Sequence, residues 1–145
     1  MLAPIAFAGS ALITGAIASA ALWFLVSAEV RIEFFEIRQP SELALATAAT
    51  AIFAAVWALL LWRPLHSSVL SRFAPLGPPR GAAIALLSFV SFAAAASAYG
   101  GGAPHFVSLF LGYLFLGFVF FGWALVLVGA FTGALIRASD APRAL

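Results

Sequence analysis

The amino-acid sequence predicts an all-α, polytopic membrane protein: a four-transmembrane-helix, up-down bundle spanning residues 1–145 as a single domain. Three observations lead there. Of the 145 residues, 65% are hydrophobic and 8% charged, whereas a soluble domain is about 45–50% apolar and about 25% charged. A water-soluble fold of this length has too little interior for so much apolar surface, while a bilayer solvates it. The apolar residues also fall into four runs, each long enough at 1.5 Å per residue to cross a hydrocarbon core of about 30 Å. Finally, nearly all charge, together with most of the proline, lies between or beyond those runs.

The first run covers about residues 4–26. Ala18-Ser19-Ala20 resembles a signal-peptide cleavage site, but no basic residue precedes the run, and apolar chain continues through Val26. An uncleaved helix is the better reading. Glu29–Glu42 then holds four of the five acids, with Arg31 and Arg38 among them. Its alternation of apolar and charged residues fits an extended segment, and its length fits an interfacial helix equally well. Pro40-Ser41-Glu42 reads as a helix start with Ser41 as N-cap.

The second helix is expected at about 43–62. At 100° per residue, Ala44, Thr47, Ala51, Ala54 and Ala58 share its inward face. Leu45, Ile52, Val56 and Leu60 share the outward one. The loop Arg63–Arg80 carries Arg63, Arg72 and Arg80 with no acid, and Leu65–Phe73 has the pattern of a short surface helix. The third helix, about 81–99, is rich in Ala and Ser, with Ile84, Ser88, Ser91, Ala95 and Ala98 along one face. Gly100-Gly101-Gly102 and Pro104 end it. The fourth run, about 106–136, is long for a perpendicular span, at roughly 46 Å of helix, and must tilt or protrude. Its Ser108, Gly112, Gly122, Gly129 and Gly133 share about a third of its circumference, and Gly129-x-x-x-Gly133 is a close-packing pair.

Four spans place both termini and the Arg63–Arg80 loop on one side, with Arg63, Arg72, Arg80, Arg137 and Arg143. The other side carries Arg31 and Arg38. The positive-inside rule assigns the Arg-rich side, and so both termini, to the cytoplasm; the high Ala content, with Arg and no Lys, fits a GC-rich bacterial genome and so a bacterial inner membrane.

Several chemistries find no support. With no cysteine, thiolate metal sites and thiol redox chemistry are excluded. The seven basic residues, all Arg, are too scattered for a nucleic-acid stripe. No ionisable residue lies inside a span, so the membrane carboxylate used by small four-helix proton-coupled exporters has no counterpart. His66 and His105 fall on opposite sides and cannot share one metal or haem. No metal or cofactor is expected, and the aromatic residues of the fourth run are explained by lipid-facing and core positions.

The candidate contact residues form two groups. Ser88, Ser91, Gly122, Gly129 and Gly133 are candidates for helix packing or partner contact. Glu33, Glu36, Arg38, Glu42 and His105 are candidates for polar contacts at the outer surface, either as ligands or as a salt-bridged lid. The expected function is that of a non-catalytic accessory or assembly subunit of a larger membrane complex. The expected partners are the lipid bilayer and either a membrane protein or a second copy of the chain. The competing reading is a small oligomeric channel or transporter, which Gly129-x-x-x-Gly133 would support by joining two copies.

Overall fold

The computed structural model of the chain describes residues 2–35, 37–62 and 77–140. Glu36, His66 and the proposed surface helix Leu65–Phe73 lie outside these. The elements are α1 (Leu2–Leu25), α2 (Ala28–Phe35), α3 (Pro40–Leu61), α4 (Gly77–Gly117), a π-helical turn (Phe118–Gly122) and α5 (Trp123–Asp140). There is no strand among the described residues. Four segments are long and apolar enough to span a membrane: Leu2–Leu25, Pro40–Leu61, Gly77–Gly100 and Ala103–Ser139.

The segment between the first two spans is helical. Ala28–Phe35 forms α2, with Ser27 at its start, where the Val30 N–H reaches Ser27 Oγ at 3.5 Å. The alternating pattern of this segment matched both an extended strand and a helix, and among the described residues there is no partner strand to stabilise the former. The N-cap of α3 is Gln39, whose backbone is extended (φ −131°, ψ 147°), with Pro40 in the first turn. Ser41, expected to cap, sits inside that turn, and its hydroxyl donates to Gln39 Oε1 at 3.4 Å. Proline sets the register here, because its fixed φ and missing N–H suit the first helical position. Glu42 reaches back to accept the Arg38 N–H at 2.8 Å, satisfying a donor as in a capping box.

α4 begins at Gly77, ahead of the expected Gly81, with Pro78 and Pro79 absorbed into its first turn. Helical backbone then continues through Gly100–Gly102 and Pro104. If α4 were straight, residues 89 and 117 would stand about 42 Å apart. Instead the Phe89 ring lies against Gly117, Ala85 against Gly129, and Gly77 against Gly133. The chain therefore reverses between residues 89 and 117 and forms an antiparallel hairpin. Its arms are the spans Gly77–Gly100 and Ala103–Ser139.

The spans form a ring. α1 packs on α3, α3 on the first arm of the hairpin, the arms on each other, and α5 back on α1, while the diagonal pairs scarcely touch. The core gathers at the end where the chain starts: Ala3, Phe7, Ala51, Ala54, Ala58, Ile84 and Ile136, with Trp57 and Trp62 against them. The Phe7 and Trp62 rings stand 5.6 Å apart. Because lipid tails are as apolar as leucine, such a bundle is held by close packing rather than by exclusion of water, and alanine lets backbones approach. Leu45, Ile52, Val56 and Leu60 face outward. Ala44, expected on the inward face, is also exposed. It lies near the start of α3, beyond the level at which Ala51, Ala54 and Ala58 are buried.

Candidate functional site

The expected packing residues do not converge on one site. Gly129 and Gly133 lie against Gly81 and Gly77 of the same chain, so two GxxxG pairs cross backbone to backbone. A Cβ at Gly77 would stand 2.5 Å from the Gly133 carbonyl oxygen. This pair closes the hairpin, and the surface imagined for a second copy is occupied from within. Gly77 and Gly81 were missed because Pro78 and Pro79 gave that stretch the look of a loop. Gly122 ends the π-turn and is packed under its own helix, with the Phe118 ring 2.5 Å from where a Cβ would be.

The serines are satisfied separately. Ser88, buried, donates to the Ile84 carbonyl at 2.6 Å. Ser91 accepts from Trp57 Nε1 at 2.9 Å, which ties the first hairpin arm to α3. Ser97 and Thr132 bond back to the Ala93 and Val128 carbonyls at 2.7 and 2.8 Å. Ser88 bonds back onto its own helix and Ser91 is engaged by Trp57, so these two hydroxyls serve contacts within and between helices.

A different feature unites the four spans. Where the diagonals fail to meet, a partly open cavity of about 170 Å³ lies in the half of the bundle nearest α2. α1 contributes Thr14, Ser19 and Leu22, and α3 contributes Leu43, Thr47 and Thr50. Phe89 and Phe92 enter from one hairpin arm, Phe121 and Leu125 from the other. The wall is almost entirely apolar. Two of its hydroxyls satisfy each other, Ser19 Oγ and Thr47 Oγ1 at 3.1 Å, and Thr50 donates to the Ala46 carbonyl at 2.8 Å. Gly15 fits beside the Thr47 side chain, where a Cβ would stand 2.6 Å from its methyl. Phe121 belongs to the π-turn, whose wider winding sets its direction.

At the α2 end of the bundle, the guanidinium of Arg31 lies over the Trp23 ring, 3.9 Å from its centroid. Arg31 Nε and Nη1 are buried and have no hydrogen-bond partner. The Arg31 backbone is fixed on both sides: its N–H donates to the Ser27 carbonyl at 3.0 Å, and its carbonyl accepts the Ile37 N–H at 3.2 Å. Arg31 is thus held against the Trp23 ring face.

The polar residues expected at the surface are dispersed. Glu33 and Arg38 are exposed, Glu42 serves as the reach-back acceptor at the start of α3, and His105 is exposed on the second hairpin arm with its carbonyl accepting from Ser108 Oγ at 3.0 Å. Among the described residues, no group of three His, Cys, Asp or Glu is placed to hold a metal ion.

These features define a helical membrane protein with an apolar interior cavity and, toward α2, an arginine stacked on Trp23. No protein-family model, curated protein or solved structure matches the chain.

Proposed function

We propose that the chain is a non-catalytic accessory or assembly subunit of a larger bacterial inner-membrane complex, with both termini cytoplasmic. The observation that carries this reading is the second hairpin arm between Ala103 and Gly117. No residue in that stretch is buried by the rest of the chain. Val107, Leu111 and Phe115 are exposed, and Gly112 has nothing within 4 Å of where a Cβ would be. Glycine weakens a helix by about 1 kcal/mol relative to alanine. In a membrane its return is the close approach of another helix, and among the described residues no other element comes within 4 Å of where a Gly112 Cβ would stand. The orientation rests on the distribution of Arg, richer on the side of the termini.

Purification from the native membrane in mild detergent, with mass spectrometry and native sizing, tests the reading. An unrelated membrane protein should co-purify at fixed stoichiometry, and Gly112→Leu should deplete it about tenfold while leaving this chain folded. Recovery of a lone homo-oligomer that passes ions or solute in liposomes would overturn the proposal in favour of a channel or transporter.

A further inference from the structure

We propose that the cavity holds one acyl chain of an anionic phospholipid whose headgroup is bound by Arg31. Two independent observations meet here. The first is the cavity itself: about 170 Å³, walled by Leu22, Leu43, Phe89, Phe92, Phe121 and Leu125, and partly open. An apolar cavity of about 150 Å³ stays dry and takes a six-carbon guest, so this one accommodates a segment of hydrocarbon chain. Of its hydroxyls, Ser19 and Thr47 satisfy each other and Thr50 satisfies its own helix, and the wall exposes almost only apolar surface.

The second observation is Arg31. Nε carries one N–H and Nη1 carries two, and both atoms are buried without an acceptor. Stacking on Trp23 fixes the guanidinium plane and contributes attraction to the ring face, but supplies no acceptor. A guanidinium held in this way suits a phosphate oxygen, with charge-assisted and bidentate geometry. The two features adjoin each other. Ser19 and Leu22 line the cavity, and Trp23 is one helical turn beyond Ser19 on the same face of α1. The guanidinium therefore stands about one turn past the α2 end of the cavity, where the headgroup of a lipid lies when its chain extends inward. A lipid without a phosphate, such as diacylglycerol, would fill the cavity and leave the Arg31 donors unmet. A free phosphate would meet the donors and leave the cavity unfilled.

The purified chain in neutral detergent is titrated with phosphatidylglycerol or with diacylglycerol of identical acyl chains, which lacks the phosphate, and bound lipid is counted by native mass spectrometry. Wild type should retain one phosphatidylglycerol with about tenfold preference over diacylglycerol, the scale expected for one charge-assisted contact. Arg31→Gln should abolish the preference. Ala18→Phe, which projects a ring from the cavity wall, should abolish retention of both lipids. Equal retention of the two lipids by wild type, or preference persisting in Arg31→Gln, would overturn the proposal. A second measurement needs no variant: phosphatidylglycerol carrying a photoreactive group along its chain should label peptides containing Phe89, Phe92 or Phe121. Labelling spread evenly over the exposed face of Leu45, Ile52 and Leu60 would count decisively against a seated chain.

Discussion

Where Gly129 crosses Gly81, a Cβ on Gly129 would come 2.5 Å from the Gly81 carbonyl oxygen and 2.6 Å from the Ala85 methyl. The obstacle is backbone, which cannot swing aside as the end of a long side chain can. Gly129→Leu must therefore separate the hairpin arms, with an overpacking cost of about 1–3 kcal/mol or more. Leu60→Ala, on a side chain 51% exposed, removes only outward contact and should cost about 0.5 kcal/mol. Thermal unfolding in detergent should show a large loss for the glycine variant and a small one for the leucine variant; equal losses would remove the glycine crossing as the basis of the hairpin. Trp57→Phe keeps most of the ring and deletes the bond to Ser91. It should cost about 0.6 kcal/mol, the average for an interhelical hydrogen bond in a membrane, and a loss above 2 kcal/mol would mean that Trp57 acts mainly through packing. The Gly129-x-x-x-Gly133 half of the crossing was legible in the sequence because it lies in an unbroken apolar run. Its partners Gly77 and Gly81 were not, because a first helical turn containing Pro78 and Pro79 has the composition of a loop. The Trp57–Ser91 bond joins residues 34 positions apart, and no local pattern carries that.

At the scale of elements, the π-turn Phe118–Gly122 inserts one residue into an otherwise α-helical arm. Hydrophobic periodicity hardly registers it, since FVFFG is apolar at four of its five positions. Its consequence is rotational: it lets Phe121 reach the cavity while Gly129 and Gly133 still face Gly81 and Gly77. Deleting the exposed Val119 should turn the wide winding into an ordinary α-turn and leave the segments on either side in phase. Deleting the equally exposed Leu127 lies in regular helix and turns Gly129 and Gly133 by about 100° relative to the chain before them. Circular dichroism melts and size-exclusion profiles should show the first variant folded and the second aggregated or unfolded. The reverse ranking would mean that the wide turn itself sets the phase of α5. Helix α2 teaches the complementary lesson. Alternation at Val30-Arg31-Ile32-Glu33 fits a strand only if another strand pairs with it, and in an all-α chain the same residues close their hydrogen bonds locally as Ala28–Phe35. The triple glycine and Pro104 marked the place where the hairpin arms separate, but not that helical backbone would run through them.

On the scale of the whole molecule, an even number of spans brings the two ends of the chain together, and the core shows it: Ala3 of α1 and Ile136 of α5 belong to one buried cluster with Ala58 of α3. This end of the bundle was legible as a single side because apolar length counts spans reliably in a bilayer, where every backbone polar group must close within a helix. Which aqueous compartment it faces is a separate question that packing does not answer, since the same ring of helices is equally sound inverted. Charge supplies the prediction. Arg80 and Arg137 lie at the end shared by Leu2 and Trp62, and the sequence adds Arg63, Arg72 and Arg143 nearby in the chain. The opposite end carries Arg31 and Arg38. In short loops Lys and Arg direct orientation whereas acids contribute little, so Glu29, Glu33 and Glu42 do not offset this difference. The excess of Arg predicts that the end with α2 faces away from the cytoplasm. Fusions of alkaline phosphatase and of a fluorescent reporter that matures only in the cytoplasm, placed after Arg38, Ser71, Gly101 and Leu145, check it. Phosphatase should be active after Arg38 and Gly101, and fluorescence should appear after Ser71 and Leu145. Phosphatase activity after Ser71 or Leu145 would invert the orientation. Substituting Arg63, Arg72 and Arg80 together by Gln removes the asymmetry and should produce a mixed population with both signals at each site, because the remaining Arg137 and Arg143 then balance Arg31 and Arg38.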